Sequence, residues 1–234
     1  MVGAIGFEPT TPCAQGRCAT RLRYAPTLLM QCYSNNNFND YKRAPRAIIF
    51  SLVMPSPRYA LVAYINNPVG EFVENLRREI HPDLPDLAAH ITLLPPRLLH
   101  GTERDALQML ARVCGQAEPF DVVLGDVQSF VPGTPTVYIR VASGAARLQE
   151  LHDQLNREIL CCSEEWTYIP HLTIAKMASQ QAAEHVLRIS RERWRHYSGP
   201  RRILLDRLTF VREQEANNWV DLAPVPLGGS LVSP

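Results

Sequence analysis

From residue 54 onward, hydrophobic residues follow two alternating spacings, and the whole pattern occurs twice. Residues 59–65 form a short apolar run typical of a buried strand, and the apolar residues after it recur at intervals of three and four, as in an amphipathic helix. Residues 137–141 begin the same order again, followed by four apolar residues at helical spacing. Each half of this region therefore predicts a strand followed by a helix.

Each half continues with a second strand, a second helix and a third strand. The two middle strands carry His90 and His171 within apolar runs. Both second helices have candidate N-caps, because Thr102 and Asp105 match a capping box and Ser179 matches an N-cap residue. The chain is thus predicted to contain a duplicated strand-helix-strand-helix-strand unit.

The third strands complete the predicted architecture. They are expected at residues 120–130 and 203–211, and residues 219–222 supply a hairpin partner for the second of them. The duplication predicts an α+β fold with two antiparallel β-sheets, covered by outer helices and related by a pseudo-twofold axis. Such an axis would bring the two middle strands together.

The composition is consistent with one domain built from two lobes. A chain of 234 residues with 46% hydrophobic content suits a single core or two closely packed lobes. We expect one bilobal domain over residues 54–234, with lobes of roughly 54–135 and 136–234 that mix and an active-site cleft between them. No apolar stretch is long enough to span a bilayer, so no membrane partner is predicted.

The first 53 residues are expected to lie outside this fold. Residues 1–46 lack clear strand or helix periodicity. Residues 6–9 and 17–26 can also be encoded on the strand opposite the T arm and D arm of a transfer RNA gene, in the matching order. We predict that translation starts at Met54 and that the preceding segment is misannotated; a genuine disordered extension is the alternative.

Cysteine usage and charge narrow the class further. The six cysteines have no paired C-x-x-C framework, so reduced thiols in a cytoplasmic protein are expected. The net charge of +1 hides an asymmetry, because the basic first 53 residues precede a mildly acidic body. Any affinity for nucleic acid must therefore come from a local basic cleft.

Two copies of one tripeptide pattern carry the candidate chemistry. His90 and Thr92 form one copy, and His171 and Thr173 form the other, 81 positions later. In a strand, residues i and i+2 project from the same face, so each copy presents an imidazole beside a hydroxyl. Two such copies in apolar strands predict a single site at the interface of the lobes.

This pair of motifs suits metal-independent phosphodiester chemistry. Hydrolysis needs a base that takes a proton from water and an acid that protonates the departing oxygen, and imidazole can serve as either near neutral pH. Threonine hydroxyls can donate hydrogen bonds to the phosphate oxygens, where charge accumulates in the transition state. No metal or other cofactor is then required.

The paired motifs resemble those of the 2H phosphoesterase superfamily, and within it the 2′-5′ RNA ligase-like proteins, over residues 55–227. The resemblance implies a bilobal α+β fold that hydrolyses RNA 2′,3′-cyclic phosphate ends to 2′-phosphomonoesters, with 2′-5′ ligase activity in some members. It also implies His90 as proton donor and His171 as proton acceptor, although the near-symmetry of the motifs leaves the roles open. The expected partners are RNA ends or cyclic nucleotides, and the expected state is a monomer.

Lys176 departs from the pattern of these relatives, which often have a phosphate-binding arginine at that position. Lysine supplies charge without the bidentate fork. Strict alternation along the strand places Lys176 on the face opposite His171, so it reaches the cleft only if the strand ends or bulges near Ala175. Its phosphate-binding role is therefore conditional on local geometry.

Weaker candidates surround these residues. Phe130 and Tyr138 resemble aromatic positions on which related enzymes stack a terminal base, and packing in the core is the alternative. Arg97 is expected on a solvated loop at the end of its strand, and residues 191–202 mix arginine with aromatic residues in a way compatible with RNA contact or with a solvated helix end.

Three alternatives to a cyclic phosphodiesterase of RNA ends remain open. The substrate could be a small cyclic nucleotide or a nucleotide-sugar cyclic phosphate, which the acidic body favours. The chain could be a noncatalytic RNA-end binding module, although binding does not need two proton-transfer groups. Both motifs could also be ordinary core residues, which would leave two imidazoles in need of buried partners.

Overall fold

The computed structural model describes residues 56–80, 88–215 and 218–229. The predicted extension over residues 1–53 and the predicted start at Met54 lie outside these ranges.

The described elements follow the predicted order twice. The elements are β1 (Tyr59–Tyr64), α1 (Pro68–Ile80), β2 (His90–Arg97), α2 (Glu103–Gly115), β3 (Phe120–Ser129), β4 (Thr136–Ser143), α3 (Ala145–Leu155), a 3-10 turn (Glu158–Leu160), β5 (His171–Lys176), α4 (Gln180–His196), β6 (Arg202–Leu205), β7 (Arg207–Glu215) and β8 (Asn218–Pro226). The strand expected at residues 203–211 is wrong as a single element, because it is interrupted at Asp206.

The eight strands form one antiparallel sheet in the order β6-β3-β4-β5-β2-β1-β7-β8. Its two halves meet at β2 and β5, which pair at a single position, Ile91 opposite Leu172. We call β8, β7, β1 and β2 the first half-sheet and β5, β4, β3 and β6 the second. The two predicted sheets are therefore halves of one curled sheet, and the predicted α+β fold class is confirmed.

Each half-sheet takes strands from both halves of the chain. β3 pairs with β4 and β6, whereas β7 pairs with β1 and β8. The helices are exchanged as well, since α1 packs against β5 and α4, and α3 packs against β2 and α2. These exchanges tie the two halves together and make the pseudo-twofold arrangement depend on the whole domain.

All four helices contribute to a single hydrophobic core on one side of the sheet. The core includes Leu61, Ile91, Ile139 and Leu172, none of which is exposed to solvent. Because alternate residues of a strand point to opposite faces, the residues next to Ile91, Ile139 and Leu172 point away from the helices, into the cleft. Ala60 and Val62, next to Leu61, instead pack with Val211 and Trp219 in a small second cluster. Burial of one face thus fixes which side chains can reach a ligand.

Local capping at the helix starts agrees with the sequence. The Thr102 hydroxyl oxygen accepts a hydrogen bond from the Asp105 backbone N–H, and the Asp105 carboxylate accepts one from the Thr102 backbone N–H, so the predicted capping box is confirmed. The Ser179 hydroxyl accepts from the Ala182 N–H at the start of α4. Both caps satisfy N–H groups that have no partner within the helix.

Within the residues that the structure describes, no helix is both long and apolar enough to cross a bilayer. The described cysteines, Cys114, Cys161 and Cys162, are unpaired thiols.

Candidate active site

The two histidine motifs lie side by side where the half-sheets meet. Ile91 and Leu172, the central residues of the motifs, form the one β2–β5 pair and point into the core. The flanking histidines and threonines consequently project into the cleft, where His90 is buried and His171 is half-buried. The structure thus brings together the residues that the sequence predicted as one site, although their catalytic roles stay predictions.

Both imidazoles are held by the same local hydrogen bond. Nδ1 of His90 lies 2.8 Å from the carbonyl oxygen of Ala88, and Nδ1 of His171 lies 2.6 Å from the carbonyl oxygen of Ile169. In each case the partner is the residue two positions earlier. Because a carbonyl oxygen only accepts, Nδ1 carries the hydrogen and Nε2 of each neutral ring is the remaining acceptor.

Burial and neighbouring cations favour the neutral form of both rings. The pKa of His90 is lowered to about 4, mainly by burial and to a smaller extent by the charges of Arg77, His171 and Lys176, against the effect of the Ala88 carbonyl. Burial also lowers the pKa of His171, with a smaller contribution from Lys176. A bound phosphate would supply the missing negative charge and favour protonation of one ring.

A β-bulge brings Lys176 to the cleft side of β5. In the β4–β5 ladder, Tyr138 lies opposite Thr173 and Val137 lies opposite Ala175, so Ile174 is the extra residue. Both Ile174 and Ala175 are buried, whereas Lys176 as a whole residue is exposed. The bulge on which the cleft position of Lys176 depends is therefore present. Although much of the side chain is exposed, desolvation of its ammonium group lowers the pKa of Lys176 to about 8.

The two threonines complete the cleft floor with free hydroxyls. Thr92 and Thr173 are both half-buried. Their backbone carbonyls accept hydrogen bonds from Tyr168 and Arg77, respectively, whereas within the described part of the chain neither hydroxyl has a hydrogen-bond partner. Each hydroxyl is therefore able to donate to a ligand oxygen.

The predicted aromatic pair lies against His171. The rings of Phe130 and Tyr138 stack with centroids 4.1 Å apart. The centroid of the His171 imidazole lies 5.0 Å from that of Phe130 and 5.1 Å from that of Tyr138, in edge-to-face contacts. Tyr138 is buried beneath Phe130, and its hydroxyl donates to Gln128. Base stacking stays a prediction, and Phe130 is the ring of the two that has more surface to offer.

The sequence analysis did not identify three neighbours of the site. Arg77 of α1 reaches β5, Arg140 lies directly opposite His171 on β4, and Tyr64 lies opposite His90 on β1. Strand periodicity could have found Arg140, because it is two residues after Tyr138 on the same face. Arg77 gave no comparable signal, because its contact is with a strand almost 100 residues away.

Arg97 is a structural residue, which corrects the expectation of a solvated loop arginine. It ends β2 and is buried, and its guanidinium donates to Asn156, to the Leu160 carbonyl and to Glu164. Glu164 also contacts His152, which is the buried histidine outside the cleft among the described residues. These contacts hold the segment between α3 and β5 against the end of β2.

The basic and aromatic segment at residues 191–202 is largely exposed but is anchored to β3 by two side chains. Trp194 is buried and donates from Nε1 to the Gly125 carbonyl, and the guanidinium of Arg201 stacks on its ring at 4.4 Å. Arg191 donates to the Val127 carbonyl. These contacts give the segment a structural role in the domain, and RNA contact by its exposed residues stays a prediction.

In the described ranges, no three or more His, Cys, Asp or Glu side chains lie close enough together to hold a metal ion. The metal-independent mechanism itself stays a prediction.

Comparisons with known proteins give relatives that are covered over almost their whole length and match about 70% of this chain. A sequence model of the 2′-5′ RNA ligase superfamily matches residues 66–217. The chain is 22% identical to a "Putative phosphoesterase" of Halalkalibacterium halodurans over 172 residues, covering 73% of this chain and 97% of the relative. It is 24% identical to a "Putative phosphoesterase" of Bacillus cytotoxicus over 163 residues, covering 69% of this chain and 92% of the relative.

Solved structures share the fold at lower identity. Crystal structures of E. coli LigT in apo form and complexed with NADP+ superpose with TM-scores of 0.50 and 0.51 at 15% identity, and cover 74% of this chain and 99% of LigT. This likeness concerns the fold alone. The match to the superfamily model covers more than half of this chain. The chain therefore belongs to the 2′-5′ RNA ligase superfamily and is an enzyme of the 2H phosphoesterase type.

Proposed function

We propose that this enzyme hydrolyses the 2′,3′-cyclic phosphate ends of RNA to 2′-phosphomonoesters, without a metal ion. The observation that carries the proposal is the pairing of two imidazoles of the same tautomer in one cleft, each with its Nδ1 hydrogen bonded to a backbone carbonyl. Nε2 is therefore the nitrogen of each ring that stays available to a ligand in the cleft. The cleft also contains two threonine hydroxyls and the Lys176 ammonium.

In the proposed reaction, one neutral imidazole takes a proton from water as the water oxygen attacks phosphorus. The bond between phosphorus and the ribose 3′ oxygen breaks, and the second imidazole, protonated when phosphate binds, gives its proton to that oxygen. The product is a 2′-phosphomonoester with a free 3′ hydroxyl. We assign His90 as the donor and His171 as the acceptor, following the family resemblance.

Thr92, Thr173 and Lys176 have the complementary role in this proposal. Their hydroxyl and ammonium groups donate to the non-bridging oxygens, where negative charge increases as water attacks. Phe130 offers a ring beside His171 on which the terminal base could stack. Replacing water by the 5′ hydroxyl of a second RNA gives the corresponding 2′-5′ ligation, which uses the same two proton transfers.

A smaller substrate is the second candidate. Beyond its first 53 residues the chain is not basic overall, since residues 54–234 contain fewer basic than acidic groups. A long polyanion gains little from such a surface, whereas a cyclic mononucleotide or nucleotide-sugar cyclic phosphate needs only the cleft. A noncatalytic RNA-end binding module is the third candidate. Binding alone does not need two proton-transfer groups, so this candidate does not account for the two matched imidazoles.

One assay separates these candidates. We would incubate the protein in excess EDTA with an oligoribonucleotide that ends in a 2′,3′-cyclic phosphate and, separately, with a cyclic mononucleotide, and identify the product isomer by phosphorus NMR. We expect a 2′-phosphate product, loss of turnover in His90→Ala and His171→Ala, and normal turnover in the exposed control His185→Ala. Binding without turnover in the wild type would support the noncatalytic module instead.

The acid and base roles can be tested with a leaving group that needs no acid. In a cyclic substrate with sulfur at the 3′ bridging position, the departing thiolate does not require protonation. We expect this substrate to restore turnover to His90→Ala and not to His171→Ala. Restoration of His171→Ala alone would reverse the assignment, and restoration of neither would contradict a general acid at this site.

A further inference from the structure

The β5 bulge leaves two backbone carbonyls at a position where the sheet offers few partners. On the β2 side, β5 is paired at Leu172 and not beyond it, because the half-sheets diverge there. Thr173 and Ile174 follow directly, and Ile174 is the extra residue of the bulge. A buried carbonyl without a partner costs about as much as a lost hydrogen bond, so this distortion needs a donor from elsewhere.

That donor is Arg77, from the last turn of α1. Its Nε donates to the Ile174 carbonyl at 3.2 Å, and its Nη2 donates to the Thr173 carbonyl. One planar guanidinium therefore binds two successive carbonyls of the bulge through two different nitrogens, a fixed fork that the single nitrogen of a lysine does not reproduce. Because α1 follows β1 of the first half-sheet, Arg77 links one half of the fold to the catalytic strand of the other.

We propose that Arg77 is the positioning residue of this site, and that it holds the β5 bulge in the form that keeps Lys176 on the cleft side. Without the bulge, alternation along β5 would turn Lys176 to the face opposite His171 and Thr173. The effect on turnover rests on the proposed function, whereas the effect on the position of Lys176 does not.

The composition of the chain makes the position of Lys176 directly measurable. Of the 24 basic residues, 22 are arginine, and the lysines are Lys42 and Lys176. Lysine labelled with ¹³C at Cε therefore gives at most two side-chain signals in an NMR titration, and Lys176→Met identifies the signal of Lys176. Burial lowers the pKa of Lys176 to about 8, so its titration reports whether the ammonium is in the cleft.

The first test compares this titration in the wild type, Arg77→Met and Arg78→Met. Arg78 is the exposed neighbour on the same helix and bonds within that helix, to Glu74 and Asn75. We expect the Lys176 midpoint to rise in Arg77→Met from about 8 towards the ordinary value of about 10.4, and to stay unchanged in Arg78→Met. An unchanged midpoint in a folded Arg77→Met protein would overturn the proposal.

Arg77→Lys separates the geometry from the charge and provides a second variant if Arg77→Met fails to fold. It retains the positive charge near the cleft and loses the fork that spans the two carbonyls. We expect the Lys176 midpoint to rise in Arg77→Lys as well, with the new lysine signal assigned in the Arg77→Lys/Lys176→Met double variant. A midpoint that rises in Arg77→Met alone would assign the effect to charge and not to positioning.

A kinetic cycle then connects position to turnover. If Arg77 acts through Lys176, Arg77→Met and Lys176→Met should each lower kcat by about 10-fold to 100-fold, and the double variant should be no slower than Lys176→Met. If the kcat losses of the two single variants instead multiply in the double variant, Arg77 acts independently of Lys176. If the wild type shows no turnover, the proposed function fails, and the titration still decides the role of Arg77.

Discussion

The phenolic hydroxyl of Tyr168 donates a hydrogen bond to the backbone carbonyl of Thr92, 3.0 Å away and 76 residues earlier in the chain. The Tyr168 ring lies flat on the imidazole of His152, at 4.2 Å between centroids. His152 in turn contacts Glu164, which pairs with the buried guanidinium of Arg97. A chain of contacts therefore runs from the end of β2 back to the His90 and Thr92 motif on the same strand.

Tyr168→Phe removes this hydrogen bond and retains the ring stack, so it tests the connection. We expect a loss of about 1 kcal/mol in the free energy of unfolding, because the Thr92 carbonyl loses a neutral donor. We also expect kcat to fall about 5-fold, since a small displacement of Thr92 weakens its contact with the phosphate. Urea denaturation and steady-state kinetics measure the two effects.

The matched control for that variant is Tyr197→Phe. The Tyr197 hydroxyl also donates to a backbone carbonyl, that of Pro200, but at an exposed site away from the cleft. We expect little change in either quantity for this variant. Equal losses of kcat in both variants would show that Tyr168 has no special connection with the site.

Stability should depend on pH through His90. Its pKa in the folded protein is lowered, mainly by burial, from about 6.5 to about 4. Between these two values the unfolded chain binds a proton that the folded protein does not bind, so the free energy of unfolding falls as the pH is lowered through this window. A difference of this size corresponds to about 3 kcal/mol.

His90→Asn should remove this dependence, because asparagine does not titrate and can still donate to the Ala88 carbonyl. Urea denaturation at pH 7 and pH 4.5 would compare the wild type with His90→Asn and with the exposed control His185→Asn. We expect the loss of stability on acidification to be smaller by about 2 to 3 kcal/mol in His90→Asn. Parallel losses in all three proteins would contradict a buried, neutral His90.

Much of this site could be predicted because its candidate residues lie close together in the sequence, at spacings that fix their strand face. The spacing of His90 and Thr92, and of His171 and Thr173, places each pair on one strand face regardless of the rest of the fold. Helix periodicity and capping residues gave the order of the elements for the same reason. Contacts within a few residues of each other are the part of the structure that sequence patterns determine directly.

The features that could not be predicted depend on pairing between distant segments. The break at Asp206 arises because β6 joins β3 whereas β7 joins β1, which the continuous apolar pattern does not reveal. Strict alternation turned Lys176 away from the cleft, and the bulge that reverses this is bound by Arg77 from another element. Arg97 likewise looked solvated until the segment around Glu164 was placed against it.

Lys176 should set the alkaline limit of activity. Burial lowers its pKa to about 8, so the ammonium is charged below that pH and loses its proton above it. We expect kcat/KM of the wild type to decline above about pH 8, because the phosphate then loses its cationic partner. Lys176→Arg should retain activity at pH 9 to 10, since a guanidinium stays charged there.

Initial rates between pH 5 and pH 10 would measure this effect, with Lys176→Met as a reference that lacks the charge at every pH. A decline at the same pH in Lys176→Arg would assign the alkaline limit to another group. The acidic limit belongs to the imidazole that acts as base, so it should be the same in the wild type and Lys176→Arg, which both keep the positive charge. It should move to higher pH in Lys176→Met, because the charge of Lys176 lowers the pKa of His171.

Arg140 should distinguish an RNA end from a mononucleotide. It lies on the cleft side of β4, and its guanidinium extends over Gly125, where a Cβ atom would come within 3.3 Å of Nη2. Its Nε is buried without a hydrogen-bond partner among the described residues. A half-buried cation without a carboxylate is suited to an anionic ligand. Its guanidinium extends towards Gly125 of β3, on the side of β4 opposite to β5 and His171.

We therefore expect Arg140 to bind the next phosphate of a polynucleotide. Arg140→Met should lower kcat/KM for an oligonucleotide with a 2′,3′-cyclic phosphate end about 10-fold, mainly through KM, as one charge-assisted hydrogen bond predicts. Turnover of a cyclic mononucleotide should change less than about 2-fold, because that substrate has no second phosphate. Arg188→Met, at an exposed position on α4, is the control for loss of charge alone. Equal losses with both substrates would place Arg140 at the reacting phosphate, and no loss with either would exclude it from substrate binding.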